Sequence, residues 1–513
     1  MTTTRPTPLN RAAFAWRPVI LVSVGVVALL VSFAGKYGYH CDELYFRMLG
    51  DHPAWGYPDQ PPLTPLLAKA GVTMFGDSLW GIRVLPAAFT GVLAVLLAQI
   101  ARETGGDAGA QTLAALGSLT LTPLLTGHTL VTVTPDLVVW LLVTLFAIRA
   151  LLQDQPKYWL AVGVATGLGL YQKHLVILLL IGLGLGLLLV GPRSPLSSGW
   201  LLAGIAVAAV LGMPNLVYQV VEGFPQMAMA RAVAERRGNR LEMIAMQPLL
   251  LGPLAAPIVV AGILALLRWP GLRPVRCVAV AYGVICVFLL ATVGECYYTC
   301  GLLLPLYAVG CVAAVRWTHR VTGRTDRSSQ SGMSRPDRLR TGLVIGAVTV
   351  NSCLSAAIAL PLVPERDLGS TAIPDLNITI GNELGWPGYV RQVAEVYRDL
   401  PAADRAAAVV LAWDFGSAGA IDRYGHRYRL PEVYSGHNGL HAVGRPPESA
   451  SVAVVVGEFD DRLLDGTFNR CQTRGRLESG TTVGNEVEGT PIRVCWAPRQ
   501  PWSRLWARFR YVG

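Results

Sequence analysis

Tyr39-His40-Cys41-Asp42-Glu43-Leu44-Tyr45-Phe46 follows directly on a nearly unbroken apolar run from Pro18 to Phe33, close to the length of a bilayer-spanning helix. Two neighbouring carboxylates therefore stand where the chain leaves the lipid. Charge at such a boundary is costly unless it meets water or a polar partner, so Asp42 and Glu43 are either a solvated helix start or part of a site. The chain continues as Gly56-Tyr57-Pro58-Asp59-Gln60-Pro61-Pro62-Leu63, and a second apolar run opens near Arg83, Leu85 and Pro86.

Outward from this stretch the composition stays that of a membrane protein. Of 513 residues, 52% are hydrophobic and 15% charged, against about 25% charged in soluble proteins. Apolar runs recur at about 18–33, 83–101, 109–126, 136–152, 158–172, 174–191, 199–217, 248–267, 277–293, 301–315 and 342–360. Each is near the length of a spanning helix, which predicts about eleven crossings, the fifth and sixth short enough to form one broken pair. The formal charge of +10 does not point to nucleic acid, because Lys and Arg gather in short segments between the runs. With the N-terminus inside, the cytoplasmic segments carry Arg5, Arg11, Arg17, Arg102, Lys157, Arg193, Arg268, Arg273 and Arg276, together with an Arg- and Ser-rich loop from Arg316 to Arg340. The first run lacks a small-residue cleavage site and reads as a retained anchor. These features predict a multi-pass protein of the plasma or inner membrane. Its outer side receives the loop 35–82, the Lys173-His174 turn, the segment 218–247, the Glu295-Cys296-Tyr297-Tyr298 turn and everything after about residue 361.

The chain divides there into a membrane part, 1–360, and an extracytoplasmic part, 361–513. The second part alternates polar and apolar segments. Pro387 to Leu400 reads as an amphipathic helix and Ser417 to Tyr424 as a short one. Ala406–Trp413, Ser451–Val456 and Pro491–Trp496 read as strands, which together predict a small α/β domain. Cys471 and Cys495 could pair if this part is extracytoplasmic, whereas Cys277, Cys286, Cys311 and Cys353 lie in apolar runs as small hydrophobes. No spacing makes a convincing metal site. The tail Trp502, Leu505, Trp506 and Phe509, interleaved with Arg504, Arg508 and Arg510, either lies on the membrane surface or forms the last helix of the domain.

The acidic pair, the Pro61-Pro62-Leu63 loop and the Arg83-Val84-Leu85-Pro86 order resemble the dolichyl-phosphate-mannose protein mannosyltransferase and aminoarabinose transferase superfamily, integral-membrane glycosyltransferases of the GT-C type. The resemblance spans about residues 18–317. It implies an α-helical polytopic fold and a sugar donor carried on a polyprenyl phosphate. Transfer would occur on the outer side, with inversion, to a protein, lipid or cell-wall glycan hydroxyl, while membrane lipids surround the prenyl tail. It also implies Asp42 as the base, with Glu43 supporting or orienting it. No cofactor is expected, and the need for a divalent ion stays open. A non-catalytic carrier of a lipid-linked sugar is the alternative, although an odd number of crossings without paired repeats speaks against a transporter. A sensor or scaffold whose outer domain binds glycan is a third.

Asp136, in Thr132-Val133-Thr134-Pro135-Asp136, is a helix cap by its local pattern; the superfamily places an acid at this membrane exit, and both roles can hold together. Lys173, between two apolar runs, needs an anion, and the resemblance implies the polyprenyl phosphate. His174 is an interfacial residue or a substrate contact. Tyr297 and Tyr298 either stack on a sugar or belong to an interfacial aromatic belt, and Glu295 stands where the family often carries a basic residue. Tyr57 and Gln60 occupy positions where related enzymes place donor contacts, although some relatives carry Lys at the Gln60 position. Lys36, Arg47, Lys69, Arg83 and Lys173 are cations on the outer side, open to an anionic ligand or to interfacial snorkelling. Arg231, Arg236, Arg237 and Arg240, mixed with Glu222, Glu235 and Glu242, clamp a phosphate or form a solvated helix. Tyr434-Ser435-Gly436-His437-Asn438-Gly439 is a polar turn.

Overall fold

The computed structural model describes residues 11–236, 240–319 and 335–513. Arg5, Arg237, the Arg236 side chain and the middle of the Arg316–Arg340 loop lie outside the described residues. In chain order the helices are α1 (Trp16–Phe33), α2 (Cys41–Asp51), α3 (Leu63–Phe75), α4 (Leu79–Glu103), α5 (Ala108–Ala115), α6 (Leu121–His128), α7 (Val133–Leu152) and α8 (Tyr158–Gly169). They continue as α9 (Leu175–Val190), α10 (Gly199–Val221), α11 (Pro225–Arg236), α12 (Arg240–Met246), α13 (Ala256–Arg268), α14 (Cys277–Thr292), α15 (Cys300–Thr318) and α16 (Arg335–Ala359). Six helical segments among the described residues are long and apolar enough to cross a membrane: α1, α4, α7, α10, α16 and Cys296–Thr318, most of which is α15. The protein is a multi-pass membrane protein. Helices α3, α8, α9 and α14, with the segment Pro253–Arg268, are apolar but shorter.

Among the described residues, six long spans and five shorter apolar helices therefore stand against the expectation of about eleven crossings, a count that helix length alone does not confirm. The apolar run 109–126 breaks into α5, a 3-10 turn at Leu116–Leu119, and α6. There the hydroxyls of Ser118 and Thr120 donate to the Ala115 and Gly117 carbonyls, a local alternative to the helical ladder. The fifth and sixth runs stay separate as α8 and α9. The segment 35–82 is not an open loop but holds α2 and α3. Helix α2 starts at Cys41 because His40 Nδ1 accepts from the Asp42 N–H at 3.2 Å while Glu43 Oε2 accepts from the His40 N–H at 2.9 Å. That reciprocal capping, with two acids in the first turn, satisfies the exposed amides and complements the helix dipole.

The C-terminal part holds one five-stranded sheet. Its strands are β1 (Ala408–Ala412), β2 (Val433–Ser435), β3 (Val452–Val456), β4 (Phe468–Arg476) and β5 (Pro491–Pro498), in the order β2-β1-β3-β5-β4. β1 pairs in parallel with β2 and β3, while β5 runs antiparallel to β3 and β4. β1 and β3 are buried along their whole length, so both sheet faces are covered. One face, with Val409, Leu411, Ala453 and Val455, packs on Trp502, Leu505, Trp506 and Phe509. The aromatic tail is therefore part of the core of this domain. The other face, with Val410, Val452 and Val454, shares one core with Trp386, Val390, Val393 and Ile421 and with Tyr39, Leu44, Tyr45, Leu49 and Tyr57 of the segment 35–82. Helix Phe415–Tyr424 packs directly on α2. A Cβ on Gly419 would stand 2.7 Å from Leu44 Cβ and 2.8 Å from the Leu44 carbonyl carbon, so only glycine allows this approach. Cys471 and Cys495 form a disulfide across the β4–β5 ladder.

Candidate active site

The acidic pair splits into two environments. Glu43 is wholly buried in a knot around Arg83, itself 1% exposed. Arg83 Nε donates to Glu43 Oε1 at 3.0 Å and Nη2 to Glu43 Oε2 at 2.9 Å. Nη2 also donates to Glu383 Oε2 at 3.0 Å and to the Gly38 carbonyl at 2.8 Å. Nη1 faces the Ala34 and Lys36 carbonyls, and His128 Nε2 at 3.1 Å. Glu43 Oε1 further accepts from the Leu130 N–H at 3.0 Å. A buried charge persists only when paired and hydrogen-bonded, and this guanidinium uses nearly its whole donor set. Arg83, expected among the binding residues, is therefore buried and engaged in fixing the start of α2. Glu43 orients the backbone beside Asp42. Burial opposes ionisation of Glu383, but Arg83 and His128 outweigh it and hold its carboxyl at about 2.

Asp42, one residue earlier, stays partly accessible. Dense surroundings push its carboxyl above the ordinary aspartate range, with Glu486 and Glu43 adding to the rise and His40 and Lys173 opposing it. Lys173 stands within electrostatic reach of Asp136, Glu295 and Asp42. Its Nζ donates to Thr132 Oγ1 at 3.4 Å and lies 5.1 and 4.9 Å from the ring centroids of Tyr297 and Tyr298. The two rings meet edge to face, 4.9 Å apart, and offer their electron-rich surfaces to the ammonium. Asp136 is 6% exposed, and its Oδ1 has no hydrogen-bond partner among the described residues. It lies in the first turn of α7 but is not the cap, which is Thr132.

The turn carrying Lys173 is held by Gln172, whose Nε2 donates to Thr64 Oγ1 at 3.0 Å, and by the Leu63 N–H donating to the Tyr171 carbonyl at 2.9 Å. The Pro-rich segment that includes Leu63 thus sets the depth of Lys173. Within that segment, the Tyr57 hydroxyl is used on the Leu49 and His52 carbonyls. The Gln60 amide is buried, with neither end partnered among the described residues. Asp59 accepts from the Tyr45 hydroxyl at 2.9 Å, which in turn accepts from the Gly439 N–H at 3.0 Å. Burial pushes the Asp59 carboxyl up to about 7 against that Tyr45 bond. The polar turn at 434–439 therefore closes on the first outer segment.

Two expected contacts lie elsewhere. His174 Nε2 is 2.8 Å from Asn215 Oδ1, and Asn215 Nδ2 donates to the Trp55 carbonyl at 2.7 Å, which ties α10 to the outer segment. Arg231 is exposed on α11, and no contact among the described residues joins it to Asp42, Asp136 or Lys173. For a metal, His40, Cys41 and Asp42 each place one donor atom within 4.8 Å of the others. His40 Nδ1 is already committed as the α2 cap, so the set fits a cation poorly. Sequence reasoning missed Glu383, His128, Gln172 and Asn215. Glu383 lies 300 residues from Arg83 in a segment without a motif, and nothing local could have found it.

Residues 59–218 match the family described as dolichyl-phosphate-mannose-protein mannosyltransferase. No curated protein matches the chain by sequence. Among solved structures, ArnT from Cupriavidus metallidurans bound to undecaprenyl phosphate aligns with a TM-score of 0.56 at 14% identity, covering 94% of this chain and 98% of that one. The same protein in its apo state aligns at 0.54 and 14% identity, covering 93% and 96%. The archaeal oligosaccharyltransferase AglB from Archaeoglobus fulgidus, in complex with an inhibitory peptide and a dolichol-phosphate, aligns at 0.51 and 13% identity, covering 80% of this chain and 63% of that one. Identities this low speak for the fold. The chain has the fold of the GT-C membrane glycosyltransferases, with the mannosyltransferase family match confined to residues 59–218.

Proposed function

We propose that the protein transfers a sugar from a polyprenyl-phosphate donor to a hydroxyl of a protein, lipid or glycan on the extracytoplasmic side of the membrane. The observation that carries this reading is Lys173, seated over the rings of Tyr297 and Tyr298 and within electrostatic reach of Asp42, Asp136 and Glu295. In the reaction, the acceptor oxygen attacks the anomeric carbon from the face opposite the phosphate, which inverts that centre. Asp42 takes the hydroxyl proton as the carbon–oxygen bond to phosphate breaks, and Lys173 meets the charge growing on the departing phosphate. A raised carboxyl is suited to this work, because a base closer to the working pH holds the proton more readily. A phosphate leaving group needs no strong acid, so one base and one cation suffice.

The ligands bound in the structural relatives, undecaprenyl phosphate in ArnT and dolichol-phosphate in AglB, support a lipid-phosphate donor. The Cys471–Cys495 disulfide supports an oxidising, outer location for the C-terminal part. The test uses membranes supplied with polyprenyl-phosphate sugars and follows transfer by the parent, Asp42→Asn and Lys173→Ala. Asp42→Asn is expected to lose about 10²–10⁴-fold in rate while keeping donor binding, and Lys173→Ala to lose donor binding as well. Undiminished transfer by Asp42→Asn removes the base assignment.

A further inference from the structure

A second lipid-facing feature lies at the far end of the bundle. Helix α15 begins at Cys300, next to Tyr297 and Tyr298, and runs to Thr318. Residues Ala313 to Trp317 therefore lie about 20–25 Å along the helix from the candidate active site, most of the way across a ~30 Å hydrocarbon layer. There a cavity of about 440 Å³ opens between α13, α15 and α16, lined by Ala261, Arg268, Trp269, Ala314, Trp317 and Val344 among others. Small side chains on α13 and α15 leave this space, and its size is that of an ordinary small-molecule site.

Charge and aromatic rings collect at one end of this apolar slot. Arg268 lines it, Arg316 lies 4.4 Å over the Trp269 ring, and Arg340 lies 5.1 Å over the Trp317 ring. Arg316 also donates to the Gly105 carbonyl at 3.2 Å and Arg340 to the Trp317 carbonyl at 3.4 Å. Both retain further donors, and none of the three arginines forms an ion pair with an acid among the described residues. Indoles beside guanidiniums at a helix end mark the headgroup level of a bilayer, and basic pockets between membrane helices take anionic headgroups. We infer that this cavity binds an anionic glycerophospholipid of the leaflet opposite the catalytic one. One acyl chain lies along α15, and the phosphodiester is held by Arg268 between Trp269 and Trp317. The inference does not depend on the transfer reaction and concerns a different lipid from the donor.

The experiment titrates delipidated full-length protein in detergent with phosphatidylglycerol and with phosphatidylcholine, and reads bound lipid by native mass spectrometry. One phosphatidylglycerol is expected to bind in preference to phosphatidylcholine. Arg268→Ala is expected to weaken it roughly fivefold, and Ala261→Trp to block it by filling the slot. In parallel, acyl-brominated phosphatidylglycerol quenches tryptophan fluorescence in the parent and less in a Trp269→Phe/Trp317→Phe variant. Equal binding of the two lipids overturns the inference, as does binding that neither Arg268→Ala nor Ala261→Trp alters. Displacement by undecaprenyl phosphate also overturns it, since the cavity would then hold the tail of the donor.

Discussion

Replacing Glu383 by Gln keeps the side chain's shape and removes its charge from the Arg83 knot. Its carboxyl sits at about 2 rather than the ordinary 4.5. That difference corresponds to roughly 3 kcal/mol of preference for the folded, ionised state. The figure falls at the low end of the loss seen when one partner of a buried ion pair is removed, as expected because Arg83 keeps Glu43. If the outer part unfolds as a unit of about 150 residues, the melting temperature should fall by roughly 6–12 °C. The pH dependence has a definite sign. A depressed carboxyl stabilises fully above its unfolded value, so the contribution is present above about pH 4.5 and fades as the pH drops towards 2. Thermal unfolding of the full-length protein in detergent, with limited proteolysis of the outer part, should therefore show a gap between parent and variant at pH 7 that closes on acidification. An unchanged melting temperature at pH 7, or a gap that persists unaltered at low pH, would refute the idea that Glu383 clamps the outer part to the Asp42 helix.

Three further outcomes follow from the geometry. On the proposed mechanism, the rate of sugar transfer should fall on acidification with a limb above the ordinary aspartate range, because protonation would silence Asp42 as the base there; a limb at or below pH 3.8 contradicts the raised carboxyl. Gly419→Leu should push helix Phe415–Tyr424 off α2 and cost about 1–3 kcal/mol together with transfer activity, since its Cβ would meet the Leu44 backbone; a stable, active variant means the two helices do not pack so closely. Removing the disulfide as Cys471→Ala/Cys495→Ala should destabilise the outer part by about 2–5 kcal/mol, read as a lower melting temperature that reducing agent does not lower further. An equal loss on reduction in parent and variant rules out the bond.

Several candidate site residues were legible in the sequence because their signals are local. The junction between an apolar run and the carboxylates of Asp42 and Glu43, and the Lys173 interruption between α8 and α9, are visible from a few neighbouring residues. The strand positions of β1, β3 and β5 were likewise visible as short apolar runs between turn residues, whereas β2, at three residues, and the largely exposed, polar β4 leave little trace. The segment 35–82 was read as a loop because α2 has modest apolar content, α3 is short, and α2 owes its start to a capping box that uses His40, an uncommon cap. The role of Arg83 was misassigned for a different reason: a lone cation at an outer membrane edge looks the same whether it faces a ligand or a buried acid.

Taken alone, the order of residues determined a multi-pass membrane chain with carboxylates beside one apolar run and a cation between two others, because hydrophobic length and charge placement depend only on neighbours along the chain. Which carboxylate stays available was decided by tertiary structure. Glu43 is drawn into a buried pair with Arg83 and Glu383, residues 40 and 300 positions from their partners, while Asp42 is left partly open near Lys173. The cost of burying an unpaired charge enforces that division: Arg83 of α4 pairs with Glu43 of α2, and Glu383 joins them once the C-terminal domain has packed onto α2.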